Sequence, residues 1–147
     1  LQADDKISLG RMVGMTMKAM KDTLTKNFEL ANCPISAEQF ITLKIITFHE
    51  DISQQDCADL LRMDKSLFLR KIDVLQKLDL LVRIPNKKDK RKNQLLITEK
   101  GMKMLKKCEK VEQNTMRNLT KGVSENDFKI FSKVLTTIRE NAFKDKN

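Results

Sequence analysis

Apolar side chains recur every three or four residues over 7–31, at Leu9, Val13, Met17, Met20, Leu24 and Phe28, which predicts an amphipathic helix with a Met-rich stripe. Asn32-Cys33-Pro34 ends it. Ser36 followed three residues later by Gln39 has the spacing of a capping box and opens a second helix, burying Phe40, Leu43 and Ile46 or Thr47. Ser53 ahead of Gln54-Gln55-Asp56 reads as another N-cap, for a short helix that buries Cys57 or Ala58 and Leu60 or Leu61. Past Arg62-Met63, Asp64 caps a fourth helix whose inner stripe is Phe68, Ile72, Leu75 and Leu78, with Lys65, Arg70, Lys71 and Lys77 outside it. Two helices joined by so few residues predict a helix-turn-helix.

The period then changes. Leu80–Ile84 and Gln94–Ile97 are short β-prone runs, and the polar, turn-rich stretch 85–93 between them predicts a hairpin with a basic tip. Thr98 caps a long helix over about 99–119, with Met102, Leu105, Cys108 or Glu109, Val111 or Glu112 and Met116 near one face. Gly122 breaks it, Ser124-x-x-Asp127 restarts it, and Phe128, Phe131, Leu135, Ile138 and Ala142 carry an apolar stripe onward. The fold class expected is mainly α with a small β-hairpin wing: a winged helix-turn-helix lobe over 34–99, flanked by helices at 1–33 and 100–147 in one domain spanning 1–147. The flanking helices carry more apolar stripe than the small lobe can cover, so a two-fold homodimer is expected to bury it, with packing on their own domain as the alternative.

Composition sharpens this picture. The 147 residues suffice for one core, and only four Gly and two Pro leave little material for a turn-rich all-β fold. The formal charge is +9, yet it is concentrated: Arg62 to Lys110 holds 16 basic and six acidic residues, a net of +10. Such segregation places a positive field on one region and favours a polyanionic partner. The absence of Trp and Tyr argues against binding through rows of stacked rings. Three cysteines without a C-x-x-C pair fit a reducing cytoplasm, and no apolar run approaches the length of a membrane span. A single histidine, His49, cannot assemble a usual transition-metal site, so no metal or cofactor is expected. No nucleophile–base set or phosphate-cradling Gly loop points to an enzyme.

The order of elements, together with Arg83 in the first wing strand, Asp89-Lys90-Arg91 in the loop and Ile97-Thr98-Glu99-Lys100-Gly101 at the junction, resembles the MarR family of bacterial transcription regulators over essentially the whole chain. Asp64-Lys65-Ser66 at the start of the fourth helix fits the same pattern. The resemblance implies double-stranded DNA as partner, a homodimer, and a small aromatic or phenolic effector held between the dimer helices and the DNA-binding lobe. Departures occur at Leu67 and Leu69, where small polar residues are usual, at Lys71, where an apolar one is usual, and at Asp79, where the family has Gly.

The candidate DNA-contacting residues follow from groove chemistry. A recognition helix brings its N-terminal side chains to base edges, which nominates Lys65, Ser66, Leu67, Arg70 and Lys71. Leu67 either touches a thymine methyl or packs inward. Arg91 at the wing tip suits a narrow minor groove, Lys87, Lys88, Lys90 and Lys92 neutralise phosphates, and the resemblance implies that Asp89 orients that loop or pairs with a neighbouring cation. The start of the third helix at Ser53, Gln54 and Gln55 offers backbone N–H groups to another phosphate.

The function expected is therefore sequence-specific regulation of transcription, by a dimeric repressor released by a ligand. The competing expectation is a basic winged-helix adaptor that reads no operator and binds protein through Leu67 and Leu69. Met12, Met15, Met17 and Met20 are expected in the core or a dimer interface, or lining an adaptable pocket. Cys57 and Cys108 are expected to be inert core thiols, Cys33 to be the thiol nearest solvent, and His49 to be a polar cap or surface residue.

Overall fold

The computed structural model describes residues 8–49, 52–86 and 92–144. Its elements are α1 (Leu9–Leu30), α2 (Ala37–Phe48), α3 (Gln54–Leu60), α4 (Lys65–Lys77), β1 (Leu81–Pro85), β2 (Asn93–Ile97), α5 (Glu99–Leu119) and α6 (Glu125–Lys144). They form two compact units, Leu1–Thr115 and Met116–Asn147. Among the described residues no helix is long and apolar enough to cross a membrane.

Side-chain caps start the helices where the sequence places them. Ser36 accepts from the Gln39 N–H while the Gln39 side chain accepts from the Ser36 N–H, closing the capping box of α2. Ser53 accepts from the Asp56 N–H at α3, Asp64 from the Ser66 and Leu67 N–H groups at α4, and Ser124 from the Asp127 N–H at α6. His49 is the exposed C-cap of α2.

Three helices end alike without glycine. Asn32, Arg62 and Asp79 have φ of 54°, 50° and 59°. Each donates its N–H back to the third residue before it, and the residue after each donates to the fifth before that one. These are Schellman ends, in which a left-handed residue reverses the chain and satisfies the last carbonyls. Asp79 thus holds a left-handed conformation that glycine adopts most readily. Asp tolerates it, at some cost from its Cβ. Asp79→Gly should raise stability by about 0.5 kcal/mol, the relieved strain exceeding the extra chain entropy of glycine. A lower urea midpoint for this variant would show that the Asp79 side chain is worth more than its strain.

The core of the first unit lies among α1, α2, α4, β1, β2 and α5. Phe28 and Phe40 meet edge-to-face with ring centroids 5.2 Å apart, and Leu43, Phe68, Ile72 and Leu75 are fully buried with them. The α2 stripe resolves to Ile46, since Thr47 is exposed, and α3 buries both Cys57 and Ala58. Leu60 is exposed and Leu61 and Leu78 are half-buried, because all three sit at or next to helix ends that turn away from the core. The strands pair antiparallel from Leu81↔Ile97 to Pro85↔Asn93, one residue later along the first run than its hydrophobicity predicts. The Leu95 N–H donates to the Ile52 carbonyl at 3.2 Å, and Ser53 bridges Gln94, so β2 is also fastened to the segment before α3.

Two expected stripes are open rather than buried. On α1 only Leu24 and Phe28 are buried, while Leu9, Met12, Met15, Met17 and Met20 are exposed. No residue of α6 is buried, and Phe128, Ile130, Phe131, Val134, Ile138 and Phe143 all face outward. The α5 stripe is anchored by Leu105, Cys108 and Thr115 rather than by Met102, Val111 or Met116, which are half-buried.

Candidate nucleic-acid interface

Helix α4 buries Phe68, Ile72 and Leu75 and turns Ser66, Arg70 and Lys77 to the opposite side. That side is positive, as the sequence requires of a groove-reading face. Lys65 and Arg70 are exposed near its start. The Ser66 hydroxyl is already engaged, donating to Asp64, which also takes the Ser66 and Leu67 N–H groups at 2.9 and 3.1 Å. The Ser66 hydroxyl, followed by the backbone N–H groups of Leu67 and Ser66, holds the Asp64 carboxyl below its ordinary range. A carboxylate is thereby fixed on the helix N-terminus, where the peptide dipoles favour it.

Leu67 and Leu69 are 46% and 39% exposed, so neither packs into the core. Two positions apart on a helix, they point about 200° away from each other and cannot form one apolar patch. That removes the structural basis for an adaptor face built on the pair.

Lys71 is a correction to the outward row. Its side chain is only 15% exposed, and its ammonium is bonded to Glu38 of α2. Lys71 lies one helical turn from buried Phe68 and Leu75, so its stem follows the core and its head finds a carboxylate there. Glu38 also accepts from Lys21 of α1 at 2.7 Å. The hydrogen bond from Lys21, then that from Lys71, pulls the Glu38 carboxyl down to about 2. A depressed carboxylate contributes stability that is present above its unfolded value and lost as pH falls through the folded one. Glu38→Gln should therefore cost about 1 kcal/mol near neutral pH, discounted for solvent exposure. Urea titrations of both proteins should show that difference shrinking between about pH 4.5 and pH 2. A difference unchanged across that window would mean that the contact acts through packing, not charge.

Arg83 in β1 is a positioning residue that the candidate set missed. Its Nε donates to Gln54 of α3 at 2.9 Å, Nη1 to Gln76 of α4 at 2.6 Å, and Nη2 to Asp73 of α4 at 2.6 Å. One planar guanidinium thus joins wing, α3 and recognition helix. The signal was present: strand alternation from buried Leu81 and exposed Val82 puts Arg83 on the inward side, where a cation needs partners.

At the start of α3, whose backbone N–H groups the sequence offers to a phosphate, the side chains are engaged within the fold. Ser53 is buried and its hydroxyl donates to Asp56, Gln54 is bonded to Arg83, and the Gln55 amide donates to Asp59. Lys92 is exposed at the base of the wing. Lys87, Lys88, Asp89, Lys90 and Arg91 lie outside the described residues. The structure therefore brings Lys65, Ser66, Leu67 and Arg70 onto one helix start and sets Lys71 and Gln54 in supporting contacts.

Comparison with known proteins bears on the fold that carries these residues. A family model described as the MarR family matches residues 35–92. An uncharacterised HTH-type transcriptional regulator of Bacillus subtilis, YybA, is 23% identical over 135 residues, covering 92% of this chain and 89% of its own. A mutant of MarR from E. coli, solved with operator DNA, is 24% identical and superimposes with a TM-score of 0.83, over 90% of this chain and 94% of its own. The transcriptional repressor CouR, bound to a 23-mer DNA duplex, gives 0.86 at 20% identity, over 95% and 98%. Residues 35–92 thus match the MarR family model, and the chain that carries them has the fold of the MarR and CouR structures.

Proposed function

We propose that the protein is a homodimeric regulator of transcription that reads double-stranded DNA with α4 in the major groove. The observation that carries this is the outward face of α4, with Lys65, Arg70 and Lys77 free of the core while Arg83 braces the helix from the first strand. The DNA complexes of MarR and CouR, which share the fold, support it. Lys65, Ser66 and Arg70 meet base edges and phosphates, and exposed Leu67 meets the one apolar group the major groove offers, a thymine methyl. The basic run Lys87 to Arg91, with Lys92, works on the adjacent backbone and minor groove. The backbone N–H groups at the start of α3, at Ser53, Gln54 and Gln55, meet another phosphate.

The two open stripes, on α1 and on α6, support the homodimer. Apolar surface of this extent is unusual on a monomer, and a second copy covers it. In this scheme 1–33 and 100–147 are dimerisation segments, 34–99 the DNA-binding lobe, and the protein works in the cytoplasm by binding rather than catalysis. A small aromatic or phenolic effector releases DNA to the extent that it prefers a head spacing other than the bound one.

The test uses duplexes selected from a random pool against scrambled controls at two salt concentrations, with Arg70→Ala and Arg91→Ala beside the parent protein. Binding should prefer the selected duplex, and log K should fall with log salt at a slope of roughly −0.9 per neutralised phosphate. Each substitution should weaken the preferred complex roughly tenfold, within the range for a lost base or groove contact. Equal affinity for both duplexes, indifferent to Arg70, would overturn sequence reading.

A further inference from the structure

One carboxylate joins three helices of the first unit. Glu38 stands in the first turn of α2 with its two oxygens divided. Oε1 accepts from the Lys21 ammonium of α1 at 2.7 Å, and Oε2 accepts from the Lys71 ammonium of α4. Its backbone is held independently of both. The capping box of Ser36 and Gln39 closes around it, and the Ala37 N–H donates to the Thr25 hydroxyl of α1 at 3.2 Å. The two cations differ in what else they can do. Lys21 is exposed and can turn to water, whereas Lys71 is mostly buried, its stem following the stripe of Phe68 and Leu75 and its ammonium ending on Glu38.

We propose that Glu38 is a positioning residue that seats α4 through Lys71 and ties that seating to α1 through Lys21. The inference rests on the reading of DNA through α4 and names what holds that helix in place. Without the carboxylate, the Lys71 ammonium has to reach water, because an unpaired charge is costly to leave mostly buried. Lys71 follows Arg70 by about 100° around the helix axis, so a roll of α4 that frees the one turns the other with it. Lys65, Ser66 and Leu67 ride on the same helix. Hydrogen bonds to base edges need placement within about 0.5 Å, while lysines on phosphates adjust through their flexible stems. Mis-seating α4 therefore removes discrimination between sequences and leaves the number of neutralised phosphates as it was. The tie to α1 gives the arrangement a second end. Lys21 directly follows Met20 of the open stripe, so a second copy covering that stripe bears on the same carboxylate that holds α4.

The test compares the parent protein with Glu38→Gln, Lys21→Met, Lys71→Met and the Lys21→Met/Lys71→Met double variant. Lys18→Met is the control, since Lys18 pairs with Asp22 on α1 itself at 2.7 Å. Affinity for a selected and a scrambled duplex is measured at two salt concentrations, and amide hydrogen exchange is followed in the protein without DNA. Glu38→Gln should lower the preference for the selected duplex about fivefold at the parent's salt slope, and should speed exchange in α4 more than in α5. Lys21→Met should act in the same direction by about twofold, and Lys18→Met should have no such effect. In the presence of Lys71→Met, the Lys21 substitution should add nothing. Exchange in α4 and α5 rising alike, with the preference unchanged, would make Glu38 a contributor to stability alone and overturn the proposal. So would a Lys21→Met effect that persists beside Lys71→Met. A parent protein that binds both duplexes equally would instead defeat the reading of DNA, and exchange in α4 would still decide whether Glu38 seats that helix.

Discussion

Gly101→Ala should cost the first unit about 3 kcal/mol, the upper end of what overpacking does. Gly101 stands in the first turn of α5, and a Cβ there would lie 1.9 Å from the Leu80 carbonyl oxygen, 2.8 Å from its carbon and 2.7 Å from Ile97 Cγ1. Ile97 could turn its side chain aside, but Leu80 cannot move cheaply. Its N–H donates to Leu75 and its carbonyl accepts from Thr98 at 3.1 Å, so shifting it loosens the end of α4 and the start of α5 together. Thr98 adds a second tie, its hydroxyl donating to the Asp79 carbonyl while accepting the Gly101 N–H. Against a total stability of roughly 5–15 kcal/mol, such a loss is large. Urea unfolding followed by circular dichroism would measure it. A midpoint within error of the parent would mean that α5 is free to slide away from Leu80.

Arg83→Ala should rank second, at about 2 kcal/mol for hydrogen bonds to a charged group lost from a part-exposed site. Three acceptors lose their donor at once: Gln54, Gln76 and Asp73. Gln76 and Asp73 are exposed and can turn to water, which keeps the cost below that of a buried ion pair. Arg83→Lys should recover little, because one ammonium cannot span three acceptors arranged around a planar fork. The variant should also bind DNA less tightly while keeping every candidate contact residue, since what it loses is the relative placement of wing and recognition helix. Stability loss without any change in DNA affinity would confine Arg83 to folding.

The helix starts and the hairpin were legible because each is decided locally. Ser36 with Gln39, Ser53 with Asp56, and Asp64 ahead of Lys65 are short-range devices whose partners lie within three residues. What the chain does across distance was less legible. A lysine on the flank of an amphipathic helix reads as solvated, and nothing near Lys71 announces Glu38, 33 positions away. Cys33 looked like the thiol nearest solvent because Asn32 and Pro34 are turn residues. The Schellman end folds the chain back at Asn32 and drives Cys33 inward to full burial. At Asp79 the chain turns left-handed without glycine, because φ is set by the helix end and the side chain merely tolerates it. Of the candidate interface, the part on α4 could be read from amphipathic phase alone. The roles of Gln54, Lys71 and Arg83 depend on which elements become neighbours.

On the proposed reading of DNA, the fastening of β2 to Ile52 and Ser53 sets a mechanical limit on how a duplex is read. With one edge of the hairpin tied to the approach of α3, and Arg83 tying the other strand to α4, the wing cannot swing about its base. The last rung described is the Asn86 N–H to the Lys92 carbonyl at 2.9 Å. The head then works as a gauge of fixed span. A duplex whose grooves do not match that span has to bend or narrow to fit, at a cost set by the stiffness of its own base steps. Base pairs that no side chain touches would thereby be selected through the energy of deforming them.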